Sequence, residues 1–330
     1  MVECINKDSI DIYFIMKYMD CDLQRALSCG LLQKIHKDNI FAQILKGVFF
    51  LHSKHCMHRD IKPSNILLSK ECNVKIADFG LVRSIPFSDY ASYDDFDFTD
   101  YVSSRWYRAP EILLGSSRYT EKIDMWALGC VLGEIFLGRP LFEGSSSLDQ
   151  LQKIFTYIDR PSENDLLEMD SKLAITILNS IKKSHKKHLE DLFPDQSEEF
   201  LDLLNRLLVI NPNKRCSADE ALKHPYVSKL IVNDQDILSM LEKGGQQRLE
   251  IEFNDSELHE MDVYQDYIRR MITEKEIKRR RIESKENLII GLMKKKGKKR
   301  RAKGMRGTRI RDGQHMDFNF KNALLLDKKV

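Results

Sequence analysis

His58-Arg59-Asp60-Ile61-Lys62-Pro63-Ser64-Asn65-Ile66-Leu67-Leu68 decides the reading of this chain, together with the Asp78-Phe79-Gly80 that follows it. The stretch sets a carboxylate at Asp60, an ammonium at Lys62 and a carboxamide at Asn65, with a second carboxylate at Asp78, 18 residues after Asp60. Asn65–Ser69 and Asn73–Ala77 read as the arms of a short hairpin, which brings Asn65 and Asp78 side by side. Amide and carboxylate oxygens are the ligands a hard divalent cation prefers. One Asp in a loop reads as a turn cap; four such groups together do not. Upstream, Ile40, Phe41, Ile44, Leu45, Val48, Phe49 and Leu51 keep a period near 3.6, so residues 37–56 are expected to be a helix feeding this stretch. His52, His55 and His58 recur every three residues. Positions so spaced on one helix face do not converge on a tetrahedral ion, so a metal site is not expected there.

HRDxKxxN, then DFG, then Ala109-Pro110-Glu111 resemble the eukaryotic protein kinases in motif order and register. The resemblance implies a transfer of the γ-phosphoryl of MgATP. Asp60 would accept the proton of the substrate hydroxyl, and Lys62 would neutralise charge developing on the phosphoryl group. Asn65 and Asp78 would hold Mg²⁺, and His58 would pack under Phe79. Lys62 in this loop resembles serine/threonine kinases. Residues 11–16, an apolar β-prone run, would be the last strand before the hinge, although without the motifs they read as an ordinary edge strand. By that alignment Met16 is the gatekeeper, the Met19 backbone bonds the adenine edge, and Leu67 forms the floor beneath adenine. The implied fold is α+β and kinase-like, mainly the helical lower lobe with hinge, catalytic-loop hairpin and activation segment. The upper-lobe β-sheet is expected to be absent, because only ten residues precede Asp11 and GxGxxG occurs nowhere in the chain.

The segment from Asp78 to Glu111 holds five Asp between Ser88 and Tyr101, and it ends in Thr99-Asp100-Tyr101 ahead of VSSRWYRAPE. TxY at this distance resembles the dual-phosphorylation lip of MAP kinases, with Asp as its middle residue. Each phosphate brings about −1.5 to −2 charge and needs Arg partners among so many carboxylates. Arg59 and Arg83 are the candidates for phospho-Thr99, and Arg105 and Arg108 for phospho-Tyr101. The alternative is a permanently solvated acidic loop. Arg108 is also the residue by which this group favours proline after the phosphoacceptor.

Downstream, residues 120–137 read as an apolar helix capped by Thr120. Its Asp124 sits in DxWxxG, where the resemblance has it hold the catalytic-loop backbone. Phe200, Leu203, Leu204, Leu207 and Leu208 mark a second buried helix face, and Ser217-Ala-Asp-Glu220 a capping box. Arg215 stands where kinases pair an arginine with the APE glutamate, here Glu111. The stretch GRPLFEGSSSLDQLQKIF and the insertion after it fit the group of MAP and cyclin-dependent kinases. With GLLQKIH at 30–36, DMWALGCVLGE at 124–134 and RPSENDLL at 160–167, the chain is most similar to atypical MAP kinases of the extracellular signal-regulated kinase seven/eight type. Asp234 and Asp236 could offer an acidic docking patch to basic peptides; a solvated turn is the other reading.

Composition bounds the rest. Among 330 residues, 42% are hydrophobic and 31% charged, as in a soluble globular protein, and no apolar run approaches the roughly 18 residues of a membrane span. Seven scattered cysteines with no CxxC read as reduced thiols. Residues 275–311 contain 17 Lys and Arg against three Glu, which is +14, so the remainder of a +3 chain carries −11. Lys278-Arg281 and Lys294-Arg301, twelve residues apart, resemble a bipartite nuclear-import signal; they could equally meet nucleic acid or another anionic surface. The expected organisation is a leader remnant over 1–10, a kinase domain over 11–230, an extension wrapping back over 231–273 and a basic tail over 274–330. The expected location is cytoplasm with access to the nucleus. Two functions follow: a proline-directed MAP kinase with protein substrates and an upstream or self-acting activator, of which this chain is an incomplete copy, or a silent lower lobe that serves as a docking scaffold.

Overall fold

The structure is a computed structural model that describes residues 16–84, 104–116, 119–171, 173–182, 185–243, 263, 266–271 and 273–274. The chain divides into two units, 17–258 and 1–16 with 259–330. In the second unit a helical turn runs over 266–271, with the Arg270 guanidinium 5.9 Å from the Tyr267 ring.

The first unit begins with β1 (Cys21–Asp22) and α1 (Leu23–Ser28), which Asp22 caps by accepting the Arg25 N–H at 2.8 Å. Next comes α2 (Lys34–Ser53), three residues earlier at each end than the apolar period predicts. His36 Nδ1 accepts the Gln33 N–H at 3.2 Å and fastens the start. At the other end the Lys54 and His55 N–H groups fold back to Leu51 and His52, and His55 takes a left-handed φ of 55°. Neither event leaves a trace in hydrophobic spacing.

β2 (Cys56–Met57) leads into the catalytic stretch. β3 (Ile66–Leu68) and β4 (Val74–Ile76) follow, then β5 (Arg83–Ser84). All pairings are antiparallel: β3 lies between β1 and β4, with Leu67 opposite Asp22 and Lys75, and β2 pairs with β5. These small sheets carry the hairpin; among the described residues of the unit the other regular elements are helical. α3 (Pro110–Leu113) precedes α4 (Lys122–Leu137). Every residue from Ile123 to Ile135 is buried, Asp124 and Glu134 included, so α4 is enclosed on all sides and forms the axis of the lobe. It starts at Lys122 rather than Thr120, with Thr120 Oγ1 accepting only the Lys122 N–H at 3.4 Å, and Gly138 ends it at φ 72°.

α5 (Ser147–Tyr157), α6 (Glu163–Glu168) and α7 (Ala174–Ser180) make up the insertion. α8 (Glu198–Leu207), α9 (Ala218–Lys223), α10 (Pro225–Ser228) and α11 (Gln235–Lys243) are the last elements among the unit's described residues. α8 buries Phe200, Leu203, Leu204 and Leu207 against α4. That contact needs Gly129, where a Cβ would stand 2.8 Å from Leu208 Cδ2 and 3.0 Å from Leu207 Cβ. The capping box of α9 is formed: Ser217 N–H meets Glu220 Oε2 at 2.7 Å, and Glu220 N–H meets Ser217 Oγ at 3.2 Å.

Candidate active site

The loop between β2 and β3 has only a short 3₁₀ turn, Pro63–Asn65, of its own, and tertiary bonds hold the rest. Asp124, 1% exposed near the start of α4, accepts the His58 N–H on Oδ2 at 2.7 Å and the Arg59 N–H on Oδ1 at 2.8 Å. His52, from the last turn of α2, meets the same Oδ2 at 3.0 Å. Burial raises the Asp124 pKa, but the His52 ring and the two backbone N–H groups outweigh it, and the carboxyl lies below its ordinary value. Arg59 adopts φ 67°, a conformation that costs a non-glycine residue about 1 kcal/mol or more, and the Asp124 grip holds it there.

This clamp presents Asp60, 5% exposed. Its Oδ2 accepts from Lys62 Nζ at 2.6 Å and from Asn65 Nδ2 at 2.9 Å; its Oδ1 accepts the Ser104 N–H at 3.1 Å. Lys62 Nζ also donates to Ser104 Oγ at 3.1 Å. Asn65 Nδ2 donates to the Asp60 carbonyl as well, at 2.9 Å, which spends the amide's donors on Asp60 and leaves its Oδ1 as an acceptor. The hairpin brings Asp78 next in line, because the Ala77 N–H donates to the Asn65 carbonyl at 2.8 Å. Asp78 is exposed, sits at φ 62°, and accepts the Gly80 N–H on Oδ1 at 3.4 Å. A free amide oxygen next to an exposed carboxylate is a donor set that fits Mg²⁺.

His58, fully buried, ties the two motifs together. Its Nε2 lies 3.1 Å from the Ala77 carbonyl and its Nδ1 accepts the Asp60 N–H at 3.3 Å, which puts the proton on Nε2. Its ring meets Phe79 edge-on at 5.3 Å. Leu67 is half-buried on β3, Met19 is half-buried, and Met16 is 77% exposed and belongs to the other unit. Of the three spaced histidines, His52 turns to Asp124 and His58 to the Ala77 carbonyl, and among the described residues there is no group of three or more His, Cys, Asp or Glu placed to share an ion.

A cleft of about 600 Å³ opens beside Asp60 and Lys62, lined further by Ser104, Arg105, Trp106 and Arg108. Three residues after Arg108 of the lining stands Glu111, whose two carboxylate oxygens meet Arg215 Nη1 and Nη2, each at 2.8 Å, both residues fully buried. Arg215 also donates to the carbonyls of Val209, Ile210 and Lys122 and lies over the Trp126 ring.

The four arginines proposed to receive phosphate are placed differently. Arg59 is buried, with Nε on the Leu81 carbonyl at 2.6 Å and Nη1 on the Tyr119 hydroxyl at 2.7 Å. Arg83 Nη1 donates to the Val82 carbonyl and Arg105 Nη1 to the Ser145 carbonyl. Arg108 lines the cleft. Thr99 and Tyr101 lie outside the described residues, as do residues 11–15 and the basic clusters. Asp234 is paired: Lys46 Nζ meets its Oδ2 at 2.8 Å, its Oδ1 accepts the Ile237 N–H at 3.2 Å, and the Lys46 contact holds its pKa below the ordinary value. Asp236 stands in the first turn of α11.

Sequence reasoning missed Ser104, which contacts both Asp60 and Lys62; only its place directly before Arg-Trp-Tyr-Arg-Ala-Pro-Glu pointed there. It also missed Gln150, buried behind Trp106, for which the one signal is a polar residue on the apolar face of α5. No helix among the described residues is long and apolar enough to cross a membrane.

Residues 1–227 match the family described as the protein kinase domain. Extracellular signal-regulated kinase 2 of Dictyostelium discoideum is 45% identical over 219 residues, which cover 66% of this chain and 59% of the relative. Mitogen-activated protein kinase 15 of Xenopus laevis is 46% identical over 224 residues, covering 66% and 38%, and that of Rattus norvegicus 45% identical over 233 residues, covering 70% and 42%. The chain thus spans between two fifths and three fifths of the length of these relatives.

Proposed function

Because the chain belongs to the protein kinase family, with mitogen-activated protein kinases as its relatives, we propose that the protein phosphorylates serine or threonine followed by proline, using MgATP, under control of Thr99 and Tyr101. The observation that carries this reading is the Asp60, Lys62, Asn65 and Ser104 network at the mouth of the cleft. Asp60 is held on both oxygens, so it meets an incoming hydroxyl without reorganising and takes its proton. Lys62, already between Asp60 and Ser104, keeps a positive charge at the point where the phosphoryl oxygens pass. Ser104 joins the peptide-accepting loop to the base, so the acceptor's backbone and its hydroxyl are referred to one frame. Asn65 Oδ1 and the Asp78 carboxylate are the groups that would hold Mg²⁺, which when bound neutralises phosphate charge. Arg108, in the cleft wall, supports the preference for proline. Phosphates on Thr99 and Tyr101 would need guanidinium partners, and Arg59 already spends two of its five donors on Leu81 and Tyr119.

The test is phosphate transfer by the full-length protein to a Thr-Pro peptide and its Thr-Ala counterpart. Asp60→Asn should lower turnover by roughly 10²- to 10⁴-fold, the range for loss of a general base. Equal turnover before and after the change leaves a silent docking lobe in its place, and equal use of the two peptides removes proline from the proposal. Import into the nucleus through the clusters at 278–281 and 294–301 is part of the same reading, supported by their charge. A fluorescent fusion whose distribution is unchanged after Lys294–Arg301 become Ala overturns it.

A further inference from the structure

The stretch GRPLFEGSSSLDQLQKIF contributes no group to the chemistry above, yet it contains the one glutamine among the described residues of the lobe that is 0% exposed. Gln150 lies on α5, between Asp149 and the buried Leu151, where an apolar side chain would pack at no cost in desolvation. All its polar capacity but one lone pair is instead spent on two loops. Its Oε1 accepts the Gly144 N–H at 2.8 Å, and its Nε2 donates to the Phe142 carbonyl at 3.1 Å and to the Trp106 carbonyl at 3.2 Å. Trp106 returns the contact, its indole N–H donating to the Gly144 carbonyl at 3.1 Å, and Arg105 Nη1 reaches the Ser145 carbonyl at 2.9 Å. Gly144 is what lets the loop close over the amide: a Cβ there would stand 2.5 Å from both Gln150 Cα and Gln150 Oε1.

The Trp106 carbonyl belongs to the short 3₁₀ turn Arg105–Tyr107, which forms the cleft wall next to Asp60 and Lys62. Ser104, the residue directly before that turn, donates its N–H to Asp60. A single buried carboxamide therefore fixes the wall that would face the residue after the phosphoacceptor, relative to the base that meets the hydroxyl. We propose that Gln150 is a positioning residue for peptide recognition: through Trp106 it sets the depth of the cleft that accepts proline. The proposal rests on the proline-directed reading given above. It assigns to α5 a specificity role that acts through Trp106, since Gln150 itself does not line the cleft.

The chain carries two tryptophans, which makes the claim measurable without turnover. Trp126 is fully buried in α4, whereas Trp106 is half-buried in the wall. In the full chain, Gln150→Leu removes the amide, and Gln150→Glu keeps the acceptor for Gly144 while losing both donors at neutral pH. The expected result is a red-shifted, more quenchable tryptophan emission for both, with the far-UV circular dichroism of wild type. Binding of a fluorescent Thr-Pro peptide should weaken by roughly five- to tenfold, the size expected for losing one or two net hydrogen bonds, with little change for the Thr-Ala peptide. Acidification should move the Gln150→Glu emission back toward wild type as the carboxyl takes a proton and regains one donor. If Gln150→Leu fails to fold, the near-isosteric Gln150→Glu pH series decides alone. Emission and quenching identical to wild type overturn the positioning role, whichever peptide binds. An altered emission with unchanged Thr-Pro affinity overturns its effect on specificity. Equal affinity of the wild-type chain for the two peptides strikes the proline-directed reading itself, and the emission still judges whether Gln150 holds the wall.

Discussion

Glu111→Gln is the most informative single change in the lobe. Glu111 and Arg215 are 104 residues apart, both at most 1% exposed in their side chains, and joined by two parallel bonds of 2.8 Å. The amide is the same size, so packing is preserved, but its NH₂ faces a guanidinium N–H where an oxygen stood. The guanidinium keeps its bonds to the Val209, Ile210 and Lys122 carbonyls, so it stays buried and loses its counter-charge. Leaving one partner of a buried pair alone costs about 3–5 kcal/mol. For a lobe of this size each kcal/mol lowers Tm by about 2–4 °C, so a fall of about 6–20 °C is expected. The measurement is urea and thermal unfolding followed by far-UV circular dichroism, for Glu111→Gln, for Arg215→Met and for both together. The double variant should recover part of the loss, because it contains no uncompensated buried charge, and the coupling should exceed about 1 kcal/mol. A loss below about 1 kcal/mol for Glu111→Gln, or strict additivity, would refute the claim that this buried pair is strongly coupled and holds the lobe together.

Three further outcomes follow from the same structure. Asp124→Asn should destabilise the lobe by about 3 kcal/mol, through loss of two charged acceptors for backbone N–H groups. Since its folded pKa is depressed, the stabilisation is full above the ordinary carboxylate value and is lost as pH falls below about 4; the variant should show a flatter acid limb in a pH series of unfolding midpoints. Glu134 behaves oppositely: burial raises its pKa despite the 2.6 Å bond from the Tyr107 hydroxyl, so its contribution is lost as pH climbs above the ordinary value of about 4.3. Glu134→Gln, which can still accept from Tyr107, should therefore gain stability relative to wild type between about pH 4 and 7 in the same assay. Gly129→Ala should cost about 1–3 kcal/mol by forcing α8 away from α4, read as a lower urea midpoint at unchanged slope.

Local spacing in the sequence determined a good deal: the apolar periods of α2 and α8, the hairpin between Asn65 and Ala77, the capping box of α9, and the identity of every charged group at the mouth of the cleft. Each of these depends on neighbours within a few residues, where chain geometry leaves few choices. The ends of α2 and the start of α4 escaped, because His36, His55 and Thr120 act through single hydrogen bonds that a hydrophobic pattern does not register. The tertiary structure alone decided which group holds which. Asp124 reaches across 66 residues to His58, Ser104 across 44 to Asp60, and Gln150 across 44 to Trp106. It also committed Arg59 to Leu81 and Tyr119 and Asp234 to Lys46, choices their residue types left open. The physical reason is that a buried polar group must find a partner wherever packing places one, and packing is a property of the assembled helices rather than of the order of residues along the chain.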